Sequence, residues 1–209
     1  MDVERIEAFN ARHEDEGAGR AIIDVVELKA DSSRAIVEAM KLLSDDVFAF
    51  FEVPIDADPH GLIESIADVG AGAKVRTGGV TADLYPTTAN LARFIARCAD
   101  ANVPFKATAG MHHPLRHLSE AVKADEFGFL NVFIAACLAL TDELDEAAIA
   151  KILEERDAAA FVFTGESASW RDRTLEADSI EDVRAEFAIA FGSCSFDEPR
   201  EYLHALGLM

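Results

Sequence analysis

Lysine and arginine side chains lie in two short apolar segments of this sequence, where a buried charge needs a partner. Lys74 and Arg76 lie two residues apart in one segment, and Lys106 lies in another. Since side chains alternate along a strand, Lys74 and Arg76 share one face if their segment is a strand. Buried cations need a carboxylate partner or an anionic ligand. We therefore expect the three cations to converge on a small anion, with Glu52 and Glu27 as counter-charges at the ends of two further apolar segments.

Lys106 is the candidate nucleophile of this group. Nearby cations lower the pKa of an amine, and such an amine can form a Schiff base with a carbonyl compound at neutral pH. Glu52 would orient the substrate or exchange protons with it. The alternative is that Glu52, Lys74, Arg76 and Lys106 form an ion-pair lattice that needs no ligand. The protein would then be a non-catalytic anion-binding protein or a structural oligomer.

Threonine and glycine follow both basic segments. Glycine allows the backbone to approach a ligand closely, and successive backbone amides can form an anion-binding nest. A tight turn is the simpler explanation for the glycines alone. The predicted anion-binding residues in these two loops are Thr77, Gly78, Gly79, Thr108 and Gly110.

Two adjacent histidines come directly after the Lys106 segment. Histidine titrates near neutral pH, so His112 or His113 could act as a general acid or base, and Arg116 adds a cation for an anionic substrate. Neighbouring side chains point apart, and the sequence has no HxH or HExxH spacing. Even with Glu52 as a third ligand, this pattern does not favour a metal site. We therefore predict no metal and no cofactor.

Small residues precede the last predicted helix. Such residues at a helix N-terminus suit a phosphate or a carboxylate, so Ser193 and Ser195 are candidate anion ligands. Ser195 is more simply explained as the N-cap of that helix. Cys194 could be a nucleophile, but the sequence identifies no base beside it. Cys98 and Cys137 lie at core positions of predicted helices.

The composition of the 209-residue chain limits the possible partners. Its net charge of −20 opposes binding to nucleic acid and to anionic membranes. No run of about 18 apolar residues predicts a membrane span, and the N-terminus does not resemble a signal peptide. We therefore expect a cytoplasmic protein. Three scattered cysteines predict neither a disulfide framework nor a structural zinc site.

Strand and helix patterns alternate along the first half of the chain, which predicts a parallel α/β sheet in a single domain over 1–209. The sequence has no GxGxxG after its first strand and no GxxxxGK[ST], which argues against a dinucleotide or P-loop site. The predicted strands are 21–28, 47–53, 73–77, 104–109 and 159–164, with 165–179 as a loop. The predicted helices are 3–15, 31–43, 59–69, 87–101, 115–123, 126–140, 144–155, 180–191 and 195–207.

Charged residues at the carboxyl ends of the strands favour a TIM-barrel-like repeat over a flat sheet. A complete barrel needs about 250 residues, so this chain predicts an incomplete or truncated barrel with extra C-terminal helices. Residues 1–20 would be an N-terminal helix followed by a break at 16–19. An incomplete barrel leaves strand edges that must be covered, which predicts a homodimer or a higher oligomer.

Four segments resemble an uncharacterised bacterial protein family: 73–98, 103–117, 127–131 and 191–209. The resemblance covers most of residues 46–209. It implies a barrel-like α/β fold and brings no activity. Members of that family tend to have more sequence ahead of the first strand, which implies that the start of this chain is truncated.

Class I aldolases of the deoxyribose-phosphate type are similar over shorter stretches. Lys74 before Thr77 and Gly78, and Lys106 before Gly110, resemble the lysine-threonine-glycine context of their strands. Arg76 stands where those enzymes have a small residue. Quinolinate phosphoribosyltransferase-like barrels are similar only in the lysines and arginines that line their openings. These resemblances imply a lyase that acts through Lys106 on a small carboxylated or phosphorylated metabolite.

Overall fold

A computed structural model describes residues 3–14, 17, 19 and 21–209, so the predicted break at 16–19 lies largely outside the described residues. The helices are α1 (Val3–His13), α2 (Ser33–Met40), α3 (His60–Asp68), α4 (Thr88–Asp100), α5 (Phe129–Thr141), α6 (Glu146–Leu153), α7 (Ala177–Glu186) and α8 (Glu198–Ala205). The strands are β1 (Val25–Lys29), β2 (Phe48–Glu52), β3 (Gly72–Arg76), β4 (Phe105–Thr108), β5 (His117–Ser119), β6 (Ala124–Glu126), β7 (Phe161–Phe163), β8 (Ser167–Trp170), β9 (Arg173–Glu176) and β10 (Ala188–Phe191).

Five parallel strands form the central sheet in the order β1-β2-β3-β4-β10. The mixed α/β fold with a parallel sheet between helices is thus confirmed. Within the described ranges the sheet is open, with β1 and β10 as its edges, and it does not close into a TIM barrel. Strands β1 to β4 are neighbours in the sheet in the same order as in the chain. One α-helix lies between each strand and the next.

The two faces of the central sheet differ in chemistry. Ala49, Phe51, Ala73 and Val75 are at most 1% exposed and belong to the hydrophobic core. Helices α2 to α4 supply the facing core residues, among them Ile36, Ile66 and Phe94. The alternate residues of these strands carry charged side chains on the opposite face, among them Glu27, Lys74 and Lys106.

The second half of the chain differs from the prediction in four places. The segment predicted as helix 115–123 forms β5 and the turn that leads to β6, and the predicted loop 165–179 forms β8 and β9. The predicted strand 159–164 forms β7, but β7 pairs antiparallel with β8 in a separate sheet. The fifth parallel strand is instead β10, which comes from the end of the predicted helix 180–191. Short apolar segments fit a helix and a strand equally well, so periodicity could not separate them.

Helix α1 contributes no buried residue, and Asn10 connects it to the chain before β1. The side chain of Asn10 donates a hydrogen bond to the carbonyl of Ile23 and accepts one from its amide. No helix in the described part of the chain is long and apolar enough to cross a membrane.

Candidate functional site

Glu27 connects the two lysines of the predicted cationic cluster. Its Oε1 lies 2.6 Å from Lys106 Nζ, and its Oε2 lies 2.7 Å from Lys74 Nζ. Lys74 Nζ also lies 2.9 Å from Glu52 Oε2. Lys74 is opposite Lys106 in the strand register, so the lysines would repel each other without a carboxylate between them. The four residues therefore form a continuous ion-pair lattice across β1 to β4.

This lattice sets the protonation of its members. Hydrogen bonds from Lys106 and then from Lys74 lower the pKa of Glu27. Burial alone would lower the pKa of Lys74, but its hydrogen bonds to Glu27 and Glu52 outweigh burial and raise that pKa. Lys74 is therefore held as an ammonium group by the two carboxylates that contact it.

Replacing Glu27 with glutamine is expected to lower the stability of the protein at neutral pH by about 1 kcal/mol or less. The effect is small because Glu27 is partly exposed, and solvent screens its ion pairs with Lys74 and Lys106. The folded-state pKa of Glu27 is lowered, so its contribution is present above the ordinary glutamate pKa and is lost as the pH falls through the lowered value. Urea unfolding from pH 7 to pH 3 measures the difference. Glu38→Gln is the control, since Glu38 pairs with Lys41 on the surface. Equal pH dependence of the two variants would contradict a lattice centred on Glu27.

Within the part of the chain that the structure describes, the other predicted cations form no ion pair with Glu27 or Glu52. Arg76 is exposed and lines a cavity of about 500 Å³ together with Glu52. Arg116 stacks over the ring of Phe127 at 4.4 Å, and burial lowers its pKa. Its Nη2 lies 3.9 Å from Asp125 Oδ2, a long ion pair. Convergence of these cations on one anion stays a prediction.

The threonines of both loops hydrogen-bond to the backbone. Thr77 is 1% exposed, and its Oγ1 donates to the carbonyls of Thr108 and Ala109 at 3.1 and 2.7 Å. Thr108 Oγ1 donates to the carbonyl of Val75 at 3.3 Å. Both hydroxyls therefore connect the ends of β3 and β4. Their hydrogen atoms are already donated to backbone carbonyls rather than to a ligand.

The glycines of these loops lie against Tyr85. A Cβ atom on Gly78 would lie 2.7 Å from the Tyr85 ring, and one on Gly79 would lie 2.3 Å from Leu84. The Tyr85 hydroxyl contacts Glu126 Oε1 at 2.8 Å and the carbonyl of Gly79 at 3.1 Å. Burial raises the pKa of Tyr85 to about 12, with a smaller contribution from its hydrogen bond to Glu126, so this hydroxyl remains a donor.

The two adjacent histidines have different surroundings. His113 stacks between Tyr202, at a ring distance of 3.6 Å, and His117, at 3.8 Å. Burial and the charge of His117 lower the pKa of His113. His112 points elsewhere, as neighbouring side chains do, toward the segment after β10. Among the described residues no group of histidine, cysteine and carboxylate side chains could hold a metal ion.

His112 lies between a carboxylate and a thiol. Its Nδ1 is 2.7 Å from Glu198 Oε2, and its Nε2 is 3.6 Å from Cys194 Sγ. Ser193 Oγ is 3.1 Å from the same Nδ1 and donates to the carbonyl of Ser195 at 2.7 Å. Because Ser193 uses its own hydrogen in that bond, it accepts from Nδ1–H, as Glu198 does. In the neutral imidazole with its hydrogen on Nδ1, Nε2 is the nitrogen that faces the sulfur and can accept its proton.

Backbone geometry at the ends of β4 and β10 creates this arrangement. The two strands are neighbours, and the Gly192 amide donates to the carbonyl of Ala107 at 2.8 Å. After β4, Ala109 and Gly110 both have positive φ angles, 71° and 76°, which turn the chain sharply ahead of His112. Residues 192–195 then lead into α8, whose first turn carries Glu198.

Ser195 connects that segment to the helix. Its Oγ accepts from the Glu198 amide at 3.1 Å, but the N-cap residue of α8 is Asp197, so the prediction that Ser195 is the N-cap is wrong by two residues. Ser193 and Ser195 are therefore both engaged in hydrogen bonds within the segment that presents Cys194. Their predicted binding of an anion stays a prediction.

A cleft of about 690 Å³ opens beside His112 and Cys194. Backbone groups form one part of its wall, and polar side chains form another. The lining residues that matter here are Gly79, Tyr85, Gly110, Ser119, Glu126 and Cys194. The cleft lies at the carboxyl ends of β3, β4 and β10, the edge at which open α/β sheets usually bind ligands.

No known protein family, curated protein or solved structure matches this chain. The case for a function therefore depends on the geometry of the site alone.

Sequence reasoning predicted His112 and Ser193 as site residues and considered Cys194, but it missed Glu198, Tyr85 and Glu126. Glu198 carried no distinguishing signal, because 39 acidic residues occur in the chain. The pairing of His112 with Cys194 depends on β10 lying beside β4, which the sequence did not reveal.

Proposed function

We propose that this protein is a thiol-dependent enzyme in which Cys194 is the nucleophile, His112 the general base and Glu198 the residue that orients the histidine. The contact between His112 Nε2 and Cys194 Sγ, with Glu198 on the opposite ring nitrogen, is the observation that carries the proposal. A nucleophile, a base within reach and a third group that fixes the base are the parts from which activated nucleophiles are built.

The chemistry that this arrangement supports is acyl transfer or hydrolysis. His112 Nε2 takes the proton of the Cys194 thiol as the sulfur attacks the carbonyl carbon of an ester, thioester or amide. The carbonyl π electrons move to oxygen, and the tetrahedral intermediate then expels the leaving group, which takes the proton back from Nε2. Nε2 then deprotonates a water molecule, which attacks the thioester formed on Cys194. The acid product leaves, and the sulfur takes the proton from Nε2 to regenerate the thiol. Glu198 stabilises the imidazolium that forms in each step.

Exposure and confinement favour Cys194 as the reacting cysteine. Cys194 is exposed beside the cleft, whereas Cys98 and Cys137 are buried. Burial raises the pKa of Cys137 to about 11, and it also raises the pKa of Cys98, so neither is a thiolate at neutral pH. The cleft volume suits a small compound.

A small anionic substrate and a Schiff base on Lys106 stay predictions. Glu27 holds both lysines, and the cleft beside Cys194 contains Glu126 rather than lysine or arginine. The proposed acyl chemistry needs none of these cations.

A burst assay with p-nitrophenyl acetate tests the proposal. The wild-type protein is expected to release nitrophenol with a burst and to carry an acetyl group on Cys194, found by peptide mass spectrometry. Cys194→Ala is expected to lose the adduct and about a hundredfold or more of the rate. Cys98→Ala is the control, because that thiol is fully buried. Acetylation spread over surface lysines with none on Cys194 would refute the nucleophile.

The second candidate is a non-catalytic oligomer derived from part of a barrel. Two observations favour it: the ion-pair lattice itself, and the open side of the sheet, where Phe48 and Val25 are 37% and 43% exposed. Parallel sheets are normally covered on both faces. A second copy of the chain would then cover the open side. This candidate predicts that the ester assay gives no burst and no Cys194 adduct.

A further inference from the structure

An apolar pocket lies on the other side of β10 and α8 from the Cys194 cleft. Its volume is about 470 Å³, within the range of small-molecule sites. Helix α5, the antiparallel sheet, α7, β10 and α8 all contribute to it. Phe191 stacks on Phe129 at 5.0 Å and meets Phe133 edge to face at 5.6 Å, which gives the pocket an aromatic wall. Ile134, Ile180 and Leu203 complete its apolar lining.

Two arginines, Arg184 and Arg200, line this pocket, and Arg184 lies at its aromatic wall. The Arg184 guanidinium sits 4.0 Å from the centroid of the Phe133 ring, and both residues line the pocket. Burial lowers the pKa of Arg184, and the side chain forms no ion pair with any carboxylate of the described residues. The stacking fixes the plane of the guanidinium and leaves its N–H groups available to a ligand.

Acidic residues outnumber basic ones in this chain, 39 to 19. Arg97, Arg171 and Arg173 each pair with at least one carboxylate, at 2.8, 2.6 and 2.9 Å. Arg184 is exposed and lies at the border of an apolar pocket without such a pair among the described residues. A ligand that brings its own carboxylate would supply a partner.

We propose that this pocket binds a small amphipathic carboxylate, with its apolar chain among Phe129, Phe133 and Phe191 and its carboxylate on Arg184. Burial of the apolar chain supplies most of the affinity, since each methylene that leaves water adds to it. The bidentate hydrogen bonding between a guanidinium and a carboxylate supplies the preference for an acid over an alcohol. The pocket is separate from the Cys194 cleft, so the proposal does not depend on the enzyme proposal.

Calorimetric titration of the full chain with octanoate and with octanol tests the proposal. The wild-type protein is expected to bind octanoate more tightly than octanol. Arg184→Gln is expected to weaken octanoate binding by about tenfold and to leave octanol binding unchanged, because only the acid contacts the guanidinium. Arg34→Gln is the matched control, since it removes the same charge from an exposed position on α2. The control is expected to bind octanoate as the wild type does.

A second variant tests the pocket itself. Ile180→Trp fills the cavity and is expected to remove binding of both compounds, while circular dichroism reports whether the variant folds. Three results would overturn the proposal: neither compound binds the wild type, both bind equally, or Arg184→Gln and Arg34→Gln weaken octanoate binding alike. If Ile180→Trp fails to fold, the comparison of the two arginine variants still decides the question.

Discussion

Replacing His112 with alanine is expected to slow the alkylation of Cys194 by iodoacetamide about tenfold at pH 7. Only the thiolate reacts, and an ordinary cysteine is a few per cent thiolate at that pH. In the native protein Nε2 of His112 lies 3.6 Å from the sulfur and can take its proton. Without the imidazole the thiol keeps that proton. The rate follows from mass spectrometry of the Cys194 peptide and needs no knowledge of the substrate.

Matched variants separate this effect from a general loosening of the loop. His113→Ala is the control, because His113 stacks on Tyr202 and His117. It is expected to alkylate as fast as the wild type. Glu198→Gln is expected to fall between the wild type and His112→Ala, since it removes the carboxylate on Nδ1 but keeps the base. Equal rates in the wild type and His112→Ala would show that the histidine does not activate the thiol.

Several features of the parallel sheet could be predicted from the sequence. Strands β2, β3 and β4 match the predicted strands 47–53, 73–77 and 104–109 within one residue at either end. Each is an apolar segment between a polar turn and a helix with a clear 3.6-residue pattern, so local signals agree there. Because parallel neighbours end at one edge, the juxtaposition of Lys74 and Lys106 followed from those strands alone.

The site at His112 could not be predicted in this way. Strand β10 has only four residues, Ala188 to Phe191, and follows α7 with no turn residue between them. The local sequence pattern therefore predicts a helix over 180–191, which includes the residues of β10. Only tertiary pairing with β4 makes this segment a strand, and that pairing is what places Cys194 beside His112. Likewise, Glu27 could not be ranked above Glu52, because its role depends on contacts with two lysines from β3 and β4, of which Lys106 passes over the ring of Phe50.

The segment that carries His112 depends on α5 for its position. The first amides of α5 donate to this segment: Phe129 N–H to the carbonyl of His113 at 3.1 Å, and Leu130 N–H to that of Pro114 at 3.0 Å. These bonds satisfy two of the donors that every helix N-terminus leaves free. At the next residue, the side chain of Asn131 binds the same segment, because its Oδ1 accepts from the amide of Arg116 at 2.9 Å.

Asn131→Ala is therefore expected to destabilise the protein by about 3 kcal/mol, since it leaves buried backbone groups without partners. Asn131 is 0% exposed, and its Nδ2 also donates to the carbonyls of Ile152 and Glu155, both at 2.8 Å. Urea unfolding measures the loss. The control is Asn90→Ala, which removes one partly exposed hydrogen bond to Arg93 and is expected to cost about 1 kcal/mol or less.

Hydrogen exchange distinguishes a local effect from a global one. In Asn131→Ala the amide of Arg116 loses its acceptor, so its exchange is expected to accelerate more than that of the amides in β3, whose partners in β4 are unchanged. If exchange accelerates equally in both segments, Asn131 contributes only to global stability. If Arg116 alone responds, Asn131 is the residue that holds the His112 loop against α5, and alkylation of Cys194 is then expected to slow in the same variant.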